Sequence, residues 1–397
     1  MKKLLCLLLA LMLVFACLAG CSGDTDEGDA NNDSNSPSSD GDTIKVGLLA
    51  PLTGDVAEYG IAVANGVRMY TEELNANGGI NGKTIELVEY DEEGDEARAV
   101  TGYNYLMDEG VVAIIGDVTT GPTVAVVAES QADGIPMITA SATAMNVTYD
   151  EETDTLYENM FRSCFIDPFQ GEKMASFAVE IVGAETAAVL YNNGSDYSMG
   201  CAESFVEMAG ELGLEIVANE SYANEAVDFQ GQLTNIAAEN PDVLFVPDYY
   251  NTIALVAQQA ASAGVNATML GVDGWDTVLN VVTDPALIEG AYYCAGYSTQ
   301  NTSEAVQNFL SAYQEKYDSV PNMFAAQGYD AAMIMYDAIA KADADGSLDN
   351  ETIIGYLKAT DMDCVTGHVT YDEYNNPEKT ASIINIVNGE AEYWGNY

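Results

Sequence analysis

Short runs of mostly apolar residues alternate with longer helical stretches along most of the chain. In the longer stretches apolar side chains recur every three or four positions, as Val63, Val67, Tyr70 and Leu74 do, which is the spacing of one helix face. The short runs have the apolar content that is typical of strands buried on both faces of a sheet. We predict eight such strands, over residues 44–49, 84–90, 111–115, 135–138, 187–191, 215–218, 243–246 and 268–271.

Alternation of strands and helices indicates an α/β fold with parallel sheets and right-handed crossovers. About four strand–helix units precede residue 145 and about four more lie between residues 187 and 275, which predicts two similar lobes. About 355 residues follow residue 42, and a single core rarely grows beyond roughly 250–300 residues. The predicted fold is completed by a helix-rich stretch, 302–360, and by a hairpin of 383–387 and 390–394 with an Asn388-Gly389 turn.

The first 42 residues have a different pattern. Lys2 and Lys3 precede an uncharged apolar stretch, 4–18, that is short for a bilayer span and fits the core of an export signal. Leu18-Ala19-Gly20-Cys21 resembles the processing site of bacterial lipoproteins, which implies that residues 1–20 are removed and that Cys21 carries lipid. The alternative is an ordinary secretory peptide with an incidental cysteine. We expect the mature chain at the outer face of the cytoplasmic membrane, anchored there by lipid.

Residues 22–42 contain seven acidic residues, no basic residue and almost nothing apolar. Such a segment cannot bury enough apolar surface to order itself. Together with Cys21 it is predicted to be a tether that holds a folded part away from a membrane.

Acidic residues dominate the charge of the chain, with 63 Asp and Glu against 12 Lys and Arg and a net charge of −51. Nucleic acid is therefore excluded as a partner, because no basic patch can displace its counterions. The single histidine, His368, argues against histidine-based metal sites and catalytic dyads, and no cofactor or metal is predicted. Three disulfide pairings, or four free thiols, are open to the cysteines that follow the tether: Cys164, Cys201, Cys294 and Cys364.

Side chains with binding chemistry follow the predicted strands. In open parallel sheets ligands bind beyond the carboxyl ends of the strands. Hydroxyl groups gather there in the first lobe, and an acid with aromatic rings gathers there in the second. Hydroxyls beside helix N-terminal N–H groups suit a carboxylate, an aspartate suits an ammonium group, and aromatic rings suit an apolar tail. A zwitterion with an apolar tail meets all three, whereas the alternative is that Thr119, Thr120, Ser141 and Thr143 only cap helices.

Six stretches stand in one order along the chain: IKVGLLAPLTGDVAEYG (44–60), NANGGINGKTIELVEYDEEGD (75–95), GVVAIIGDVTTGPTVA (110–125), GIPMITASATAMNVT (134–148), DVLFVPDYY (242–250) and LGVDGWD (270–276). They resemble the leucine/isoleucine/valine-binding protein family, the extracytoplasmic receptors of branched-chain amino acid ABC importers. The resemblance covers about residues 43–395. It implies the type I periplasmic-binding-protein fold, in which two doubly wound parallel-sheet lobes are joined by three crossover strands and the ligand lies between them. The implied lobes are residues 43–161 with 298–364, and residues 162–297 with 365–397.

The resemblance also implies roles for single residues. The hydroxyl that binds the ligand carboxylate falls on Thr120, the carbonyl that accepts from the ammonium on Ser141, and a further head-group hydroxyl on Thr143. The acid that pairs with the ammonium falls on Asp273. The implied aromatic positions of the pocket are Tyr59, Tyr197, Tyr249 and Phe324.

The chain departs from the Escherichia-type members of the family in three places. Gly94 and Thr119 stand where those members have a disulfide, so that bridge is absent. Tyr59 replaces a tryptophan, and Asp273 is one methylene shorter than their glutamate. These changes leave the ligand's side chain open.

The expected function is therefore a non-enzymatic, monomeric receptor that captures an amino acid, branched-chain or aliphatic, by hinge closure and delivers it to a permease. The first alternative is a sensory module of the same fold that reports an amide or other small molecule to a membrane partner. A secreted hydrolase is the second alternative, but the chain has no GxSxG motif and only one histidine.

Overall fold

A computed structural model describes residues 43–397 of the chain. The predictions for the export segment, for lipid at Cys21 and for the acidic tether fall on residues 1–42, which lie outside the described residues. In chain order, the strands are β1 (Thr43–Ala50), β2 (Thr84–Asp91), β3 (Ile114–Ile115), β4 (Met137–Thr139), β5 (Tyr149–Asp150), β6 (Thr155–Leu156), β7 (Met160–Arg162), β8 (Thr186–Asn192), β9 (Glu215–Tyr222), β10 (Val243–Phe245), β11 (Thr268–Gly271), β12 (Tyr292–Ala295), β13 (Asp361–Cys364), β14 (Gly367–Thr370), β15 (Ser382–Val387) and β16 (Glu390–Asn396).

The helices alternate with these strands as the apolar spacing predicts. The α-helices are α1 (Ala57–Ala76), α2 (Glu96–Glu109), α3 (Thr120–Ser130), α4 (Asp167–Phe177), α5 (Asp196–Leu212), α6 (Gln230–Glu239), α7 (Tyr250–Ala263), α8 (Glu304–Tyr317), α9 (Met323–Ala344) and α10 (Asn350–Lys358). The shorter helical segments are a π-helical turn that extends α4 (Ala178–Val182) and 3₁₀ segments at Met145–Val147, Asp273–Trp275, Val278–Asn280 and Pro285–Ile288.

The strands form two main sheets. The first sheet has the order β2-β1-β3-β4-β7, and its neighbouring strands are all parallel. The second sheet has the order β16-β15-β12-β11-β10-β8-β9, in which β8 to β12 run parallel and the terminal pair β15 and β16 is antiparallel. Two small antiparallel pairs, β5 with β6 and β13 with β14, stand apart from both sheets. This α/β architecture confirms the predicted fold class.

The chain passes from one sheet to the other three times. It leaves the first sheet after β7, leaves the second after β12, and returns to the second sheet at β15. The intervening helix α9 packs along α1 and contacts β3 and β4, so it belongs with the first sheet. The helices approach closely because Gly66 has no side chain, since a Cβ there would lie 2.1 Å from the carbonyl oxygen of Ala325.

All eight predicted strands are present, with ends shifted by up to four residues, and the predicted hairpin is β15–β16 with Asn388 and Gly389 both at positive φ. Two sheet strands were not predicted, β7 and β12. The first is only three residues long and ends in the charged Arg162, which is fully buried. A charge in so short a run conceals the apolar pattern by which strands are recognised. Its presence makes the first sheet five-stranded.

The structure decides between the disulfide pairings and the free thiols that the sequence left open. All four thiols that follow the tether, on Cys164, Cys201, Cys294 and Cys364, are free and buried. They are part of the packed interior instead of a disulfide framework.

Within residues 43–397, every helix falls short of the length or the apolar content that a bilayer span requires.

Candidate functional site

The eight residues that the sequence singled out as ligand-binding line one cavity. Its volume is about 10 Å³, room for about one water molecule, so its sides lie almost in contact. Seven of the eight are buried, and Tyr249 is partly exposed. The complete lining is Tyr59, Val118, Thr119, Thr120, Ser141, Thr143, Tyr197, Tyr249, Asp273, Gly274 and Phe324. A wider groove elsewhere, which Ile61 and Asn322 help to line, contains none of the predicted residues.

One side of the cavity, which we call the hydroxyl wall, consists of Val118, Thr119, Thr120, Ser141 and Thr143. Its first half is the start of α3. Thr119 is the N-cap residue of this helix, but its side chain makes no capping hydrogen bond. The first N–H groups of a helix have no partner within the helix, and they carry a partial positive charge. The start of α3 therefore brings N–H donors and two threonine hydroxyls to the same end of the cavity.

The second half of the hydroxyl wall is the turn after β4. The Thr139 hydroxyl oxygen accepts hydrogen bonds from the backbone N–H groups of Ser141, at 3.2 Å, and Ala142, at 3.0 Å. From behind, the buried guanidinium of Arg162 donates to the carbonyl oxygens of Ala142, at 3.0 Å, and Ala144, at 2.9 Å. These bonds fix the backbone on either side of Thr143.

The two halves of the hydroxyl wall are bonded to each other. The Ser141 hydroxyl donates to the carbonyl oxygen of Val118 at 2.7 Å, and the Thr139 hydroxyl donates to that of Asp117 at 2.6 Å. The backbone carbonyl oxygen of Thr143 accepts from the backbone N–H of Asp167 at 2.9 Å. The bond of the Ser141 hydroxyl is not a helix cap, so the alternative reading of the hydroxyls as simple caps does not describe Ser141.

The opposite side, which we call the acidic wall, consists of Tyr197, Tyr249, Asp273 and Gly274. The Tyr197 hydroxyl donates to Asp273 Oδ1 at 2.6 Å and accepts from the Gly274 backbone N–H at 2.9 Å. The Asp273 backbone N–H donates to Gln170 Oε1 at 2.8 Å. Burial raises the pKa of Asp273 to about 6, although its hydrogen bonds oppose this effect. A cationic group beside Asp273 would replace part of the lost solvation and favour the ionised carboxylate.

Gly274 is required by the tight packing of the acidic wall. A Cβ at this position would lie 2.5 Å from the carbonyl oxygen of Asp248 and 2.7 Å from the Tyr197 hydroxyl. Both distances are too short for a carbon atom. Any larger residue would push Asp273 and Tyr197 apart.

Aromatic rings connect the two walls. Tyr197 and Tyr249 are stacked, with centroids 5.0 Å apart and planes inclined by 9°. Tyr59, on α1, lies edge-on to Tyr249 at 5.7 Å and against Phe324, on α9, at 4.3 Å. The rings form a continuous surface against which an apolar group can be buried.

Hydrogen bonds close the cavity across the two sheets. The Tyr59 hydroxyl donates to the carbonyl oxygen of Gly274 at 2.6 Å and accepts from the Tyr250 backbone N–H at 3.1 Å. Beside them, the Tyr250 hydroxyl donates to the carbonyl oxygen of Asp55 at 2.7 Å. These groups come from segments that accompany different sheets, so the structure is in a closed arrangement.

The two walls have complementary chemistry. The lining contains hydroxyls and helix N–H groups on one side, one carboxyl group on the other, and no lysine, arginine or histidine. A carboxylate fits the first wall without a basic residue, and an ammonium group fits the second. Residues 43–397 contain no group of three or more His, Cys, Asp or Glu side chains arranged to hold a metal ion.

Several residues that shape the cavity were not assigned a role from the sequence. Val118 and Gly274 line it directly, and they adjoin residues that the strand-end rule selects. Val118 has an apolar side chain and Gly274 has none, so neither carries the polar group that marks a candidate ligand contact. Gln170 and Asp167, by contrast, lie on α4, away from any strand end, and no pattern in the sequence marks them.

Comparison with known proteins decides the family. Residues 43–391 match the family described as periplasmic binding protein. The chain belongs to this family. Membership confirms the resemblance drawn from the six sequence stretches and identifies the chain with a class of extracytoplasmic binding proteins.

Relatives and solved structures agree with this membership. The leucine-, isoleucine-, valine-, threonine- and alanine-binding protein of Pseudomonas aeruginosa is 28% identical over 335 residues, which cover 84% of this chain and 86% of the relative. The crystal structure of LivJ of Streptococcus pneumoniae, a branched-chain amino acid transporter substrate-binding protein in complex with isoleucine, is 32% identical with a TM-score of 0.80. That comparison covers 88% of this chain and 98% of LivJ.

The fold alone is shared more widely. A solute-binding protein of an ABC transporter from R. palustris, solved with benzoate, has a TM-score of 0.79 at 22% identity. The comparison covers 89% of this chain and 96% of that protein.

Proposed function

We propose that this chain is the substrate-binding lipoprotein of an ABC importer and that it captures an amino acid with a branched-chain or aliphatic side chain. One observation carries the proposal: the hydroxyl wall and the single acid, Asp273, face each other across one closed, aromatic-lined cavity. A zwitterion is the ligand class that needs both walls. The names of the relatives support the amino-acid assignment.

In the proposed mechanism, the ligand carboxylate binds Thr120 and the N–H groups at the start of α3. The ammonium group binds Asp273 and the carbonyl of Ser141, with Thr143 completing the head-group contacts. The side chain lies against Tyr59, Tyr197, Tyr249 and Phe324.

Capture occurs by hinge closure between the two lobes, residues 43–161 with 298–364 and residues 162–297 with 365–397. The Tyr59 hydroxyl, which joins α1 to Gly274 at 2.6 Å, acts as a latch that forms only when the lobes meet. The closed form then docks on the permease. Lipid on Cys21 and the acidic tether keep the receptor at the outer face of the cytoplasmic membrane, where it works as a monomer.

Calorimetric titration of residues 22–397, unfolded and refolded to remove any carried ligand, tests the proposal. The panel is the twenty amino acids, with Leu, Ile and Val first. A micromolar Kd, about −8 kcal/mol, is expected for one aliphatic group. The amide of the best ligand and its N-acetyl derivative serve as matched probes, since each removes one charge. No heat for any amino acid would overturn the amino-acid assignment.

A further inference from the structure

Two acidic residues are buried together directly behind the hydroxyl wall. Glu92 follows β2 and Asp117 follows β3, and both side chains are completely inaccessible to solvent. Their carboxyl groups lie within hydrogen-bonding reach of each other. Neither residue lines the cavity, and the proposed ligand contacts do not use them.

Each carboxyl group of this pair has one oxygen without a hydrogen-bond donor among the described residues. Glu92 Oε2 accepts from the backbone N–H groups of Gly94, at 2.5 Å, and Asp95, at 2.9 Å. Asp117 Oδ1 accepts from the N–H of Val118 at 2.5 Å. The remaining oxygens, Glu92 Oε1 and Asp117 Oδ2, have no donor among the described residues. Two carboxylates cannot hydrogen-bond each other, but a carboxylic acid donates to a carboxylate.

Among residues 43–397, the charged groups close to the pair are mainly acidic. Asp91 ends β2 beside Glu92 and adds a negative charge. Asp95 and Glu96 open α2, and the nearby Arg98 is paired with the exposed carboxylate of Glu93. Burial raises the pKa of both Glu92 and Asp117, and it raises the pKa of Asp117 well above its usual range. Because Glu92 already receives two backbone N–H groups, it is the better acceptor of the pair and Asp117 is the better donor.

The pair is connected to both halves of the hydroxyl wall. The carbonyl of Asp117 accepts from the Thr139 hydroxyl at 2.6 Å, and the next carbonyl, of Val118, accepts from the Ser141 hydroxyl at 2.7 Å. Thr119 and Thr120 follow directly in the chain. A displacement of Asp117 would therefore reach the start of α3 and the turn that bears Ser141.

We propose that Glu92 and Asp117 share one proton in the folded protein and that this hydrogen bond positions the turn 116–120 for ligand binding. When the proton is lost at alkaline pH, two adjacent buried charges repel each other, the turn shifts, and ligand affinity falls. The shared proton is argued from the contacts of Glu92 and Asp117 alone. The ligand-binding part rests on the function proposed above.

Substitutions at Asp117 separate a shared proton from simple packing. In Asp117→Asn the amide keeps a permanent N–H donor for Glu92, so affinity at neutral pH is expected to stay within about twofold of the wild type and the alkaline fall is expected to disappear. In Asp117→Ala the donor is lost, and affinity is expected to fall on the order of tenfold throughout the pH range. The matched control is Asp330→Asn, because Asp330 is also buried but accepts from the backbone N–H groups of Val365 and Thr366 and lies outside the cavity lining. It should retain the alkaline fall.

An alkaline fall in Asp117→Asn equal to that of the wild type would overturn the proposal, and so would wild-type affinity in Asp117→Ala.

A second measurement needs no ligand. The folded protein keeps a proton on Asp117 at pH values where the unfolded chain, with an Asp pKa of about 3.9, has released it. The free energy of unfolding therefore declines as pH rises above about 4, and this decline ends only when the folded pair also loses its proton. Asp117→Asn should show a smaller decline than the wild type in urea unfolding from pH 5 to 9. Equal declines would overturn the shared proton whatever the ligand does. A smaller decline in a protein that binds no amino acid would support the shared proton and count against the proposed function alone.

Discussion

The hydroxyl wall and the acidic wall occupy equivalent places, the carboxyl ends of parallel strands, yet they are built from different groups. The hydroxyl wall uses many weak donors: threonine and serine hydroxyls and the N–H groups at the start of α3. The acidic wall uses one strong acceptor, Asp273, held by Tyr197 at 2.6 Å. A neutral wall with many donors can tolerate the loss of one of them, whereas a wall with one charge cannot.

The two walls also differ in the buried groups that support them. Behind the hydroxyl wall are a carboxyl pair and the buried guanidinium of Arg162. Behind the acidic wall the side chain of Gln170 accepts from the Asp273 N–H at 2.8 Å. The first wall is thus supported by a carboxyl pair and a guanidinium and bears no acid or base itself, while the second bears the acid that would meet the ligand. The two walls should therefore respond differently to mutation and to pH.

The largest effect is expected when the acidic wall loses its charge. Asp273→Asn should weaken binding of the amino acid by about 2–5 kcal/mol, because the ammonium group would be buried without a counter-charge. Titration calorimetry at pH 7.5 measures the change. Asp330→Asn removes a buried carboxyl that bonds Val365 and Thr366 outside the cavity lining, and it should leave the affinity nearly unchanged. An unchanged Kd in Asp273→Asn would remove Asp273 from the site.

A smaller effect is expected from acid. Burial raises the pKa of Asp273 to about 6, so below that pH an ammonium ligand must displace a proton. Affinity should fall by up to about tenfold for each pH unit below 6, or roughly 1.4 kcal/mol per unit. Calorimetry from pH 7.5 to 5 tests this, and a flat profile for wild type would contradict the role of Asp273.

The stability of the unliganded protein should move in the opposite direction over that range. The folded protein holds a proton on Asp273 between its ordinary pKa of 3.8 and about 6, where the unfolded chain has released it. The contribution of Asp273 to the free energy of unfolding is therefore largest below pH 3.8 and is lost as pH rises through about 6. If affinity falls as pH is lowered while the free energy of unfolding rises, the loss of affinity comes from the binding step and not from unfolding.

The strand-end rule predicted the hydroxyls and the acid that line the cavity, because those residues follow recognisable apolar runs. The family resemblance added Tyr197 and Phe324, which lie within helices. They did not predict the supporting groups. Arg162 interrupts the apolar pattern of β7, so the sequence did not predict this strand. Its hydrogen-bond partners are backbone carbonyl oxygens, whose positions cannot be read from residue types. Glu92 stands in an acidic loop, DEEGD, where every carboxylate looks equally exposed. Only the fold brings it to Asp117, 25 residues further along the chain, and buries both.

The smallest effect, and the sharpest test of the contrast, is expected on the hydroxyl wall. Thr120→Val removes one hydroxyl and keeps the shape of the side chain, so a carboxylate ligand should lose only about 1 kcal/mol, since helix N–H groups and other hydroxyls remain. The amide of the same ligand should lose less, because its head group carries no negative charge.

The matched control is Thr123→Val on the same helix, whose hydroxyl donates to the Thr119 carbonyl at 2.7 Å and does not line the cavity. Equal losses for acid and amide would take the carboxylate role from Thr120. A loss as large as that of Asp273→Asn would mean that the hydroxyl wall, like the acidic wall, depends on a single group.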